Sequence, residues 1–210
     1  MSNSVAIVTG ASSGIGQATA LRLARDFGAI VLAARSGEKL AEVGAVAGVD
    51  VFEMTDEQWK GMELKFHGAR RLTIHAWEAL KESKGAVVFI SGNAAVIPKA
   101  GAAAVGAINA AIEALAKAFA ERGIEDGVQV NSVSPGAIMT GRRLSMLEKI
   151  AASKMITLEE AKQQFLKQAG ISRFGEAEEI ADVMAFIVSP RAHWMTGTVL
   201  RMDGGEVKSV

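Results

Sequence analysis

Two residue types are missing from this chain of 210 residues: it contains no cysteine and no tyrosine. The absence of cysteine excludes disulfides, thiolate nucleophiles and cysteine-ligated metals, and it fits a reducing compartment such as the cytoplasm. The absence of tyrosine removes the phenolic hydroxyl from the available proton donors. We therefore predict a cytoplasmic protein without a bound metal, in which any acid–base chemistry uses other side chains.

An excess of charge is also lacking, because 23 Lys and Arg residues balance 23 Asp and Glu residues. A net charge of zero gives no electrostatic basis for binding nucleic acid or an anionic membrane surface. The first apolar run, residues 5–8, is too short for a signal peptide. No window approaches the roughly 18 apolar residues of a membrane span. We predict neither nucleic-acid nor membrane partners.

Apolar strand-like runs alternate with helical patterns along the whole chain. Strands are predicted at residues 5–8, 30–33, 86–90, 128–133 and 198–202, and helices at about 15–27, 55–82, 101–122, 157–169 and 176–189. Thr55 and Gln58 have the spacing of a capping box. Continuous apolar strands between helices indicate an α/β, Rossmann-type fold. Its doubly wound, mostly parallel sheet has helices on both faces, in one domain over 1–210.

The interval between the second strand and the long helix over 55–82 is too short for this fold. A doubly wound sheet places a helix, a strand, a helix and a strand there, which needs more than about 30 residues. Only residues 36–54 are present. An unfilled gap is energetically unfavourable, because each buried unpaired backbone group costs about 1–3 kcal/mol. Either residues 49–52 fill the fourth strand position, or the native chain is longer and a stretch near 47–51 is missing.

A glycine-rich turn joins the first strand to the first helix, and it reads Thr9-Gly10-Ala11-Ser12-Ser13-Gly14-Ile15-Gly16. Glycines permit a sharp turn and a close approach of the backbone to a phosphate. The N-terminus of the helix adds unpaired N–H groups and a partial positive charge. The order strand, turn, helix predicts a site for the pyrophosphate of a dinucleotide. A glycine-rich turn without a ligand is the alternative.

The spacing Gly-x-x-x-Gly-x-Gly, with Thr9 in front of it, resembles that of the short-chain dehydrogenase/reductase family. Residues 131–136, 173–175 and 203–205 extend the resemblance over nearly the whole chain. The resemblance implies a nicotinamide cofactor and an oxidoreductase of carbonyl or alcohol substrates, with 141–170 as the substrate lid. The cofactor contacts that it implies are Gly10, Ser12, Ser13, Gly14, Ile15, Gly16, Pro135, Gly136, Ile138 and Thr140.

The end of the second strand predicts which dinucleotide binds. An NAD site usually has an acidic residue there, which accepts a hydrogen bond from the ribose 2′-hydroxyl. This chain has Arg35 and Ser36 instead. A guanidinium is always charged and its planar fork suits a 2′-phosphate, so we predict NADP(H). The alternative is that Arg35 is a solvated loop residue.

The family's catalytic residues do not carry over. In the family a Tyr donates the proton, a Lys four residues later lowers the pKa of that Tyr, and a Ser and an Asn complete the tetrad. Aligned on the surrounding motifs, the Asn, Ser, Tyr and Lys positions fall on Lys65, Gly92, Val105 and Asn109. None of these positions has the family residue. We therefore predict that the protein is inactive or weakly active.

Lys65 is the first candidate for a replacement acid. The family's helix at this position faces the nicotinamide, and a desolvated lysine can exchange protons near neutral pH. A polar position without chemistry is the alternative. Ser91 and Asn93 flank the vacant Ser position and could bind an oxygen or simply form a turn. His67 is expected in solvent or at a subunit contact.

Three functions follow from these residues. The first is an NADP(H)-binding protein with little catalysis, acting as a sensor, a scaffold or a partner of an active paralogue. The second is an NADPH-dependent reductase that uses Lys65, and the third is a structural subunit without nucleotide. The substrate stays open: Arg142 and Arg143 suit an anionic substrate or are merely solvated. The helices over 55–82 and 101–122 predict a homodimer or homotetramer.

Overall fold

The computed structural model describes residues 4–33, 50–53 and 55–209, and helices alternate with strands in these ranges. The strands are β1 Val5–Thr9, β2 Ala29–Ala33, β3 Ala86–Ile90, β4 Gln129–Pro135 and β5 Val199–Met202. The α-helices are α1 Gly14–Leu23, α2 Asp56–Ser83, α3 Ala103–Asp126, α4 Gly141–Lys154, α5 Leu158–Ala169 and α6 Ala177–Ile187. The α/β prediction with parallel strand pairs is confirmed. The described strands form two sheets, of two and three strands.

The chain divides into two compact units, of which the first comprises Met1–Arg35, Gly136–Ala185 and Met202–Val210. In this unit β1 and β2 pair in parallel, with Val5 opposite Ala29 and Thr9 opposite Ala33. Helix α1 contacts both strands. Its buried face carries small residues and Leu23, which allows the helix to approach the strands closely. This packing fixes the turn between β1 and α1.

The β1–β2 pair keeps an exposed apolar surface. Val5 and Ile7 of β1 and Val31 and Leu32 of β2 are each about half-exposed. Parallel sheets are normally covered on both faces, and their strands are correspondingly apolar throughout. The apolar runs of β1 and β2 match that expectation, but only part of their surface is covered in this structure.

The second unit comprises Ser36–Pro135 and Phe186–Arg201. Its sheet has the order β3-β4-β5, and β3 pairs with β4 in parallel. Helix α3 packs on both of these strands and on α2. Core aromatics join the layers: the Phe119 ring lies 5.5 Å from Trp77 and 6.1 Å from Phe89. Trp77 also donates its indole N–H to the Asp126 carboxylate at 2.7 Å, so α2 and the end of α3 are held together.

Helix α1 is shorter than predicted, helix α4 is an addition to the predictions, and the start of α2 is untested. Helix α1 ends at Leu23, not near residue 27, because residues 24–26 form a turn. Helix α4 was not predicted at all. Thr140 starts it by accepting a hydrogen bond from the Arg143 N–H, and Leu147 and Ala151 bury one face. The predicted capping box at Thr55 stays a prediction, because the Gln58 side chain lies outside the described residues.

One of the two alternatives for the short interval, that residues 49–52 fill the fourth strand position, is wrong for the part that the structure describes. Residues 51–53 form a turn, in which Phe52 donates its N–H to the Asp50 side chain. The Phe52 side chain is 96% exposed, so it has no core contacts of the kind that a central strand requires. Val49 and most of the interval 36–54 lie outside the described residues.

The prediction that no window approaches a membrane span in length and hydropathy is wrong. The helical stretch Ala100–Asp126, which includes α3, is long and apolar enough, with a mean hydropathy of 1.4 in its best window. Length and composition are weak evidence for a span, since the core helix of a globular protein passes the same test. Here Ala104, Ile112 and Ala116 are buried, and α3 packs on α2, β3 and β4. These contacts bury one face of the helix, and 28% of the apolar window is buried.

Candidate functional site

The glycine-rich turn in the first unit is open at the start of α1. Gly10 and Gly14 have φ values of +67° and +53°, which glycine adopts without strain. A Cβ atom on Gly16 would lie 2.2 Å from the Gly10 carbonyl oxygen. Ser13 precedes the helix without a side-chain cap, and no acidic residue lies in its first turn. The N–H groups at the start of α1 are therefore available to an anion.

The loop after β4 contacts the same turn. Thr140 places its methyl group 3.2 Å from the position that a Cβ on Gly14 would occupy. Backbone hydrogen bonds hold this loop: Gly136 donates to Met202, and Ile138 pairs with Gly175 as an isolated bridge. The structure thus brings two of the predicted cofactor contacts, Gly14 and Thr140, together. Pro135 is the buried last residue of β4 in the second unit.

The residues predicted to select the dinucleotide follow β2. The Ala11 N–H donates to the Ala33 carbonyl at 3.4 Å, so the carboxyl end of β2 lies beside the glycine-rich turn. Arg35 and Ser36 lie outside the described residues. Their role in binding the 2′-phosphate stays a prediction.

A polar cluster in the second unit contains Lys65 and Asn109. The Lys65 ammonium donates to the Asn109 side-chain oxygen at 2.6 Å and to the Ser91 carbonyl at 3.3 Å. Asn109 is 4% exposed and Lys65 is half-buried. The hydrogen bond joins α2 to α3 through the two positions where the family has Asn and Lys. This chain has the same two residue types in exchanged order.

The other two tetrad positions offer no proton donor. A Cβ atom on Gly92 would lie 3.0 Å from the Asn109 amide nitrogen, so a larger residue at 92 would press on Asn109. Val105 packs with Trp59 and Ile108 around the buried Ala104, which makes its surroundings apolar. The cluster therefore offers an ammonium and an amide, but no phenol or hydroxyl at the position of the family's Tyr or Ser.

The neighbouring candidates have different surroundings. Ser91 is buried and donates its hydroxyl to Glu113 at 2.6 Å, so its side chain is held by α3. Asn93 is buried at the start of a short 3-10 helix. His67 was expected in solvent or at a subunit contact, and its Nδ1 atom is buried without a hydrogen-bond partner among the described residues. The contact between Ser91 and Glu113 was missed from the sequence, since the two residues are 22 positions apart.

The motif around Arg173 is fixed by an ion pair in the first unit. The Arg173 guanidinium makes two hydrogen bonds to Glu179, at 2.6 and 2.8 Å, and Glu179 also accepts the Glu176 N–H. These bonds lower the pKa of Glu179 to about 2, and the hydrogen bonds from Arg173 are the largest cause. The pair lines a cavity of about 260 Å³ together with Gly175 and Asp203. The Arg173 guanidinium in this cavity is therefore already paired with the Glu179 carboxylate.

Two family models match the sequence and together span nearly all of it. The model described as enoyl-(acyl carrier protein) reductase matches residues 40–206. The model described as short chain dehydrogenase matches residues 4–48. The resemblance inferred from the sequence motifs is therefore confirmed.

Relatives of similar architecture cover the whole chain. An uncharacterised oxidoreductase of Bacillus subtilis, YvaG, is 27% identical, over 98% of this chain and 96% of the relative. The NADPH-dependent reductase BacG of the same organism is 26% identical over the full length of both. That alignment spans 259 positions against 210 residues here, so the relative has stretches without a counterpart in this chain. The L-sorbose reductase of Gluconobacter frateurii, solved with NADPH and L-sorbose, has a TM-score of 0.87, 26% identity and coverage of 100% and 98%.

Proposed function

Because the chain belongs to the short-chain dehydrogenase/reductase family of oxidoreductases, we propose that it binds NADP(H) and turns over carbonyl or alcohol substrates slowly or not at all. The proposal that turnover is slow or absent rests on the replacement of the family's proton donor. Val105 occupies the position where the family has Tyr, and no tyrosine exists elsewhere in the sequence. A valine side chain has no proton to give, and hydride transfer to a carbonyl requires one at the oxygen.

The proposal assigns cofactor binding to the glycine-rich turn. Its open helix N-terminus suits the pyrophosphate, and Thr140 adjoins it. Arg35, rather than an acid, follows β2, and this favours the 2′-phosphate of NADP(H). Two of the relatives support the choice, since one is named an NADPH-dependent reductase and another was solved with NADPH. Absence of cysteine agrees with a cytoplasmic location.

A second candidate function is an active reductase with Lys65 as its acid. The hydrogen bond between the Lys65 ammonium and Asn109 supports it, because it keeps a cation at the tetrad positions. A half-buried lysine can donate a proton to a carbonyl oxygen. This candidate predicts measurable turnover that Lys65→Met abolishes while NADPH affinity is unchanged.

The experiment is a titration with NADPH and NADH by fluorescence, followed by a turnover assay. We expect NADPH to bind more tightly than NADH, and Arg35→Asp to remove or reverse that preference. Arg25→Asp is the matched control, because it makes the same change of charge at an exposed arginine of the first unit. Equal affinities for both cofactors in the unmodified protein would refute the assignment, and no binding of either would favour a structural subunit without nucleotide.

The turnover assay uses ketones, secondary alcohols and 3-oxoacyl thioesters. We expect rates far below the enzyme median of about 10 per second. A rate near that median on any of these substrates would contradict the proposal. If such activity also disappears in Lys65→Met, the second candidate function replaces the first.

A further inference from the structure

The two adjacent arginines at the start of α4 have different surroundings. Arg142 is exposed, whereas Arg143 is half-buried and its guanidinium carbon lies 4.9 Å from the centre of the Phe165 ring. Phe165 stacks in turn on Phe174, with the ring centres 5.5 Å apart. A guanidinium stacked on an aromatic platform keeps its planar fork in a fixed orientation. The solvated alternative therefore applies to Arg142 and not to Arg143.

Arg143 has no carboxylate in an ion pair with it in the part of the chain that the structure describes. Its Nη1 atom donates to the Met146 sulfur at 3.7 Å, which is a weak acceptor. Burial lowers the pKa of Arg143, and the Glu206 carboxylate opposes this effect from beyond ion-pair distance. Arginine nevertheless stays charged at neutral pH. By contrast, Arg173 in the same unit is paired with Glu179. The Arg143 fork is left with donors for an outside ligand.

The position of Arg143 relates it to the glycine-rich turn. Thr140, which contacts Gly14, also accepts the Arg143 backbone N–H as the cap of α4. Arg143 therefore lies within the first turn of a helix whose first residues adjoin the proposed cofactor site. Arg143 itself belongs to residues 141–170, the segment that was predicted as the substrate lid, so a ligand bound by its side chain contacts that segment.

We propose that Arg143 binds a carboxylate of the substrate, so that the substrate is an oxo acid or a hydroxy acid. This inference rests on the proposed function, because an oxidoreductase of carbonyls and alcohols determines the oxo or hydroxy group. A planar carboxylate matches a guanidinium with two parallel hydrogen bonds. The fixed fork makes Arg143 the residue that distinguishes an acid from a neutral ketone of the same size.

The test compares aliphatic keto acids, from pyruvate to levulinate, with their methyl esters by ligand-observed NMR, in the presence and absence of saturating NADP⁺. We expect at least one acid to bind about tenfold more tightly than its ester, as a charge-assisted hydrogen bond allows. Arg143→Gln removes this preference. Arg142→Gln is the matched control and retains it. Arg143→Lys keeps the charge and the aliphatic stem, and it retains part of the preference even if Arg143→Gln is unstable.

The result overturns the inference if no acid binds more tightly than its ester, or if the Arg142 and Arg143 variants behave alike. A loss of NADP⁺ affinity in Arg143→Gln equal to the loss of acid affinity also overturns it, because the arginine then serves the cofactor's phosphates. The same experiment tests the proposed function independently of the carboxylate site. If the unmodified protein binds no NADP⁺ or NADPH but prefers acids through Arg143, the carboxylate site stands and the cofactor assignment does not.

Discussion

At the scale of single residues, the backbone of the phosphate-binding turn requires glycine at position 16. Gly16 has no room for a side chain because the Gly10 carbonyl oxygen occupies the space. This constraint follows from the conformation of the turn and cannot be obtained from the letters alone, although the glycine spacing predicts that such a constraint exists. At Gly101, by contrast, no atom lies within 4 Å of the position that a Cβ would occupy, so glycine is replaceable there.

We expect Gly16→Ala to weaken NADPH binding at least tenfold and to lower the free energy of unfolding by about 1–3 kcal/mol, because overpacking forces the backbone to shift. Fluorescence titration and urea denaturation measure the two effects. Gly101→Ala is the control and leaves both nearly unchanged. Unaltered NADPH affinity in Gly16→Ala would show that the cofactor does not depend on this turn.

The ion pair between Arg173 and Glu179 predicts a dependence of stability on pH. The pKa of Glu179 in the folded protein is about 2, below its ordinary value. The pair therefore stabilises the fold above the ordinary carboxyl pKa, and its contribution is lost as the pH falls from about 4.5 towards 2. We expect Glu179→Gln to reduce the slope of the unfolding midpoint against pH in that window. An unchanged slope would mean that other carboxylates are responsible.

At the scale of elements, periodicity predicted β3 without error, and five of the six described helices were predicted with shifted ends. Apolar runs between helical patterns carry this information, because burial on both faces requires them. Helix α4 was missed although Leu144, Leu147 and Ala151 recur at helical spacing, because the segment was interpreted only as the substrate lid. Thr140, three residues before Arg143, was the capping signal that could have revealed it. The exchange of Lys65 and Asn109 was visible as two mismatches, but only the structure shows that they form one hydrogen bond.

Because Lys65 and Asn109 form one hydrogen bond, we expect the fold to tolerate an exchange of these two residues with each other. Lys65→Asn leaves two amides, whereas Asn109→Lys brings two ammonium groups together in a half-buried place, so each single variant should be destabilised. The double variant Lys65→Asn/Asn109→Lys restores one ammonium and one amide. We expect a coupling energy of about 1–3 kcal/mol in a double-mutant cycle by urea denaturation. Additive effects would show that the two side chains do not act as a pair.

At the scale of the whole molecule, the family and the α/β class followed from motifs spread over the chain. The division into two compact units did not, because one unit is assembled from three separate segments. The short interval over 36–54 was recognised from residue arithmetic alone. The number of subunits and the single domain over 1–210 stay predictions.

Helices α2 and α3 remain the predicted oligomer interface. Leu64, Leu72 and Ile74 on α2 and Ile124 on α3 are exposed, and monomers rarely keep large apolar patches open to water. We expect a dimer or tetramer by analytical ultracentrifugation at micromolar concentration, and Ile74→Glu should shift it towards monomer. Leu21→Glu, at an equally apolar and exposed position on α1, is the control. A monomeric unmodified protein would refute the prediction.

The assembly of the first unit from distant segments has a consequence during synthesis on the ribosome. Strand β1 and helix α1 emerge early, whereas Gly136–Ala185 and Met202–Val210 belong to the same unit and emerge last. With about 100 residues in between and translation at about 5–20 residues per second, the delay is about 5–20 s. The second unit, whose main segment is continuous, can begin to fold meanwhile. The N-terminal strand pair is thus the part of the nascent chain that chaperones and proteases meet before its partners exist.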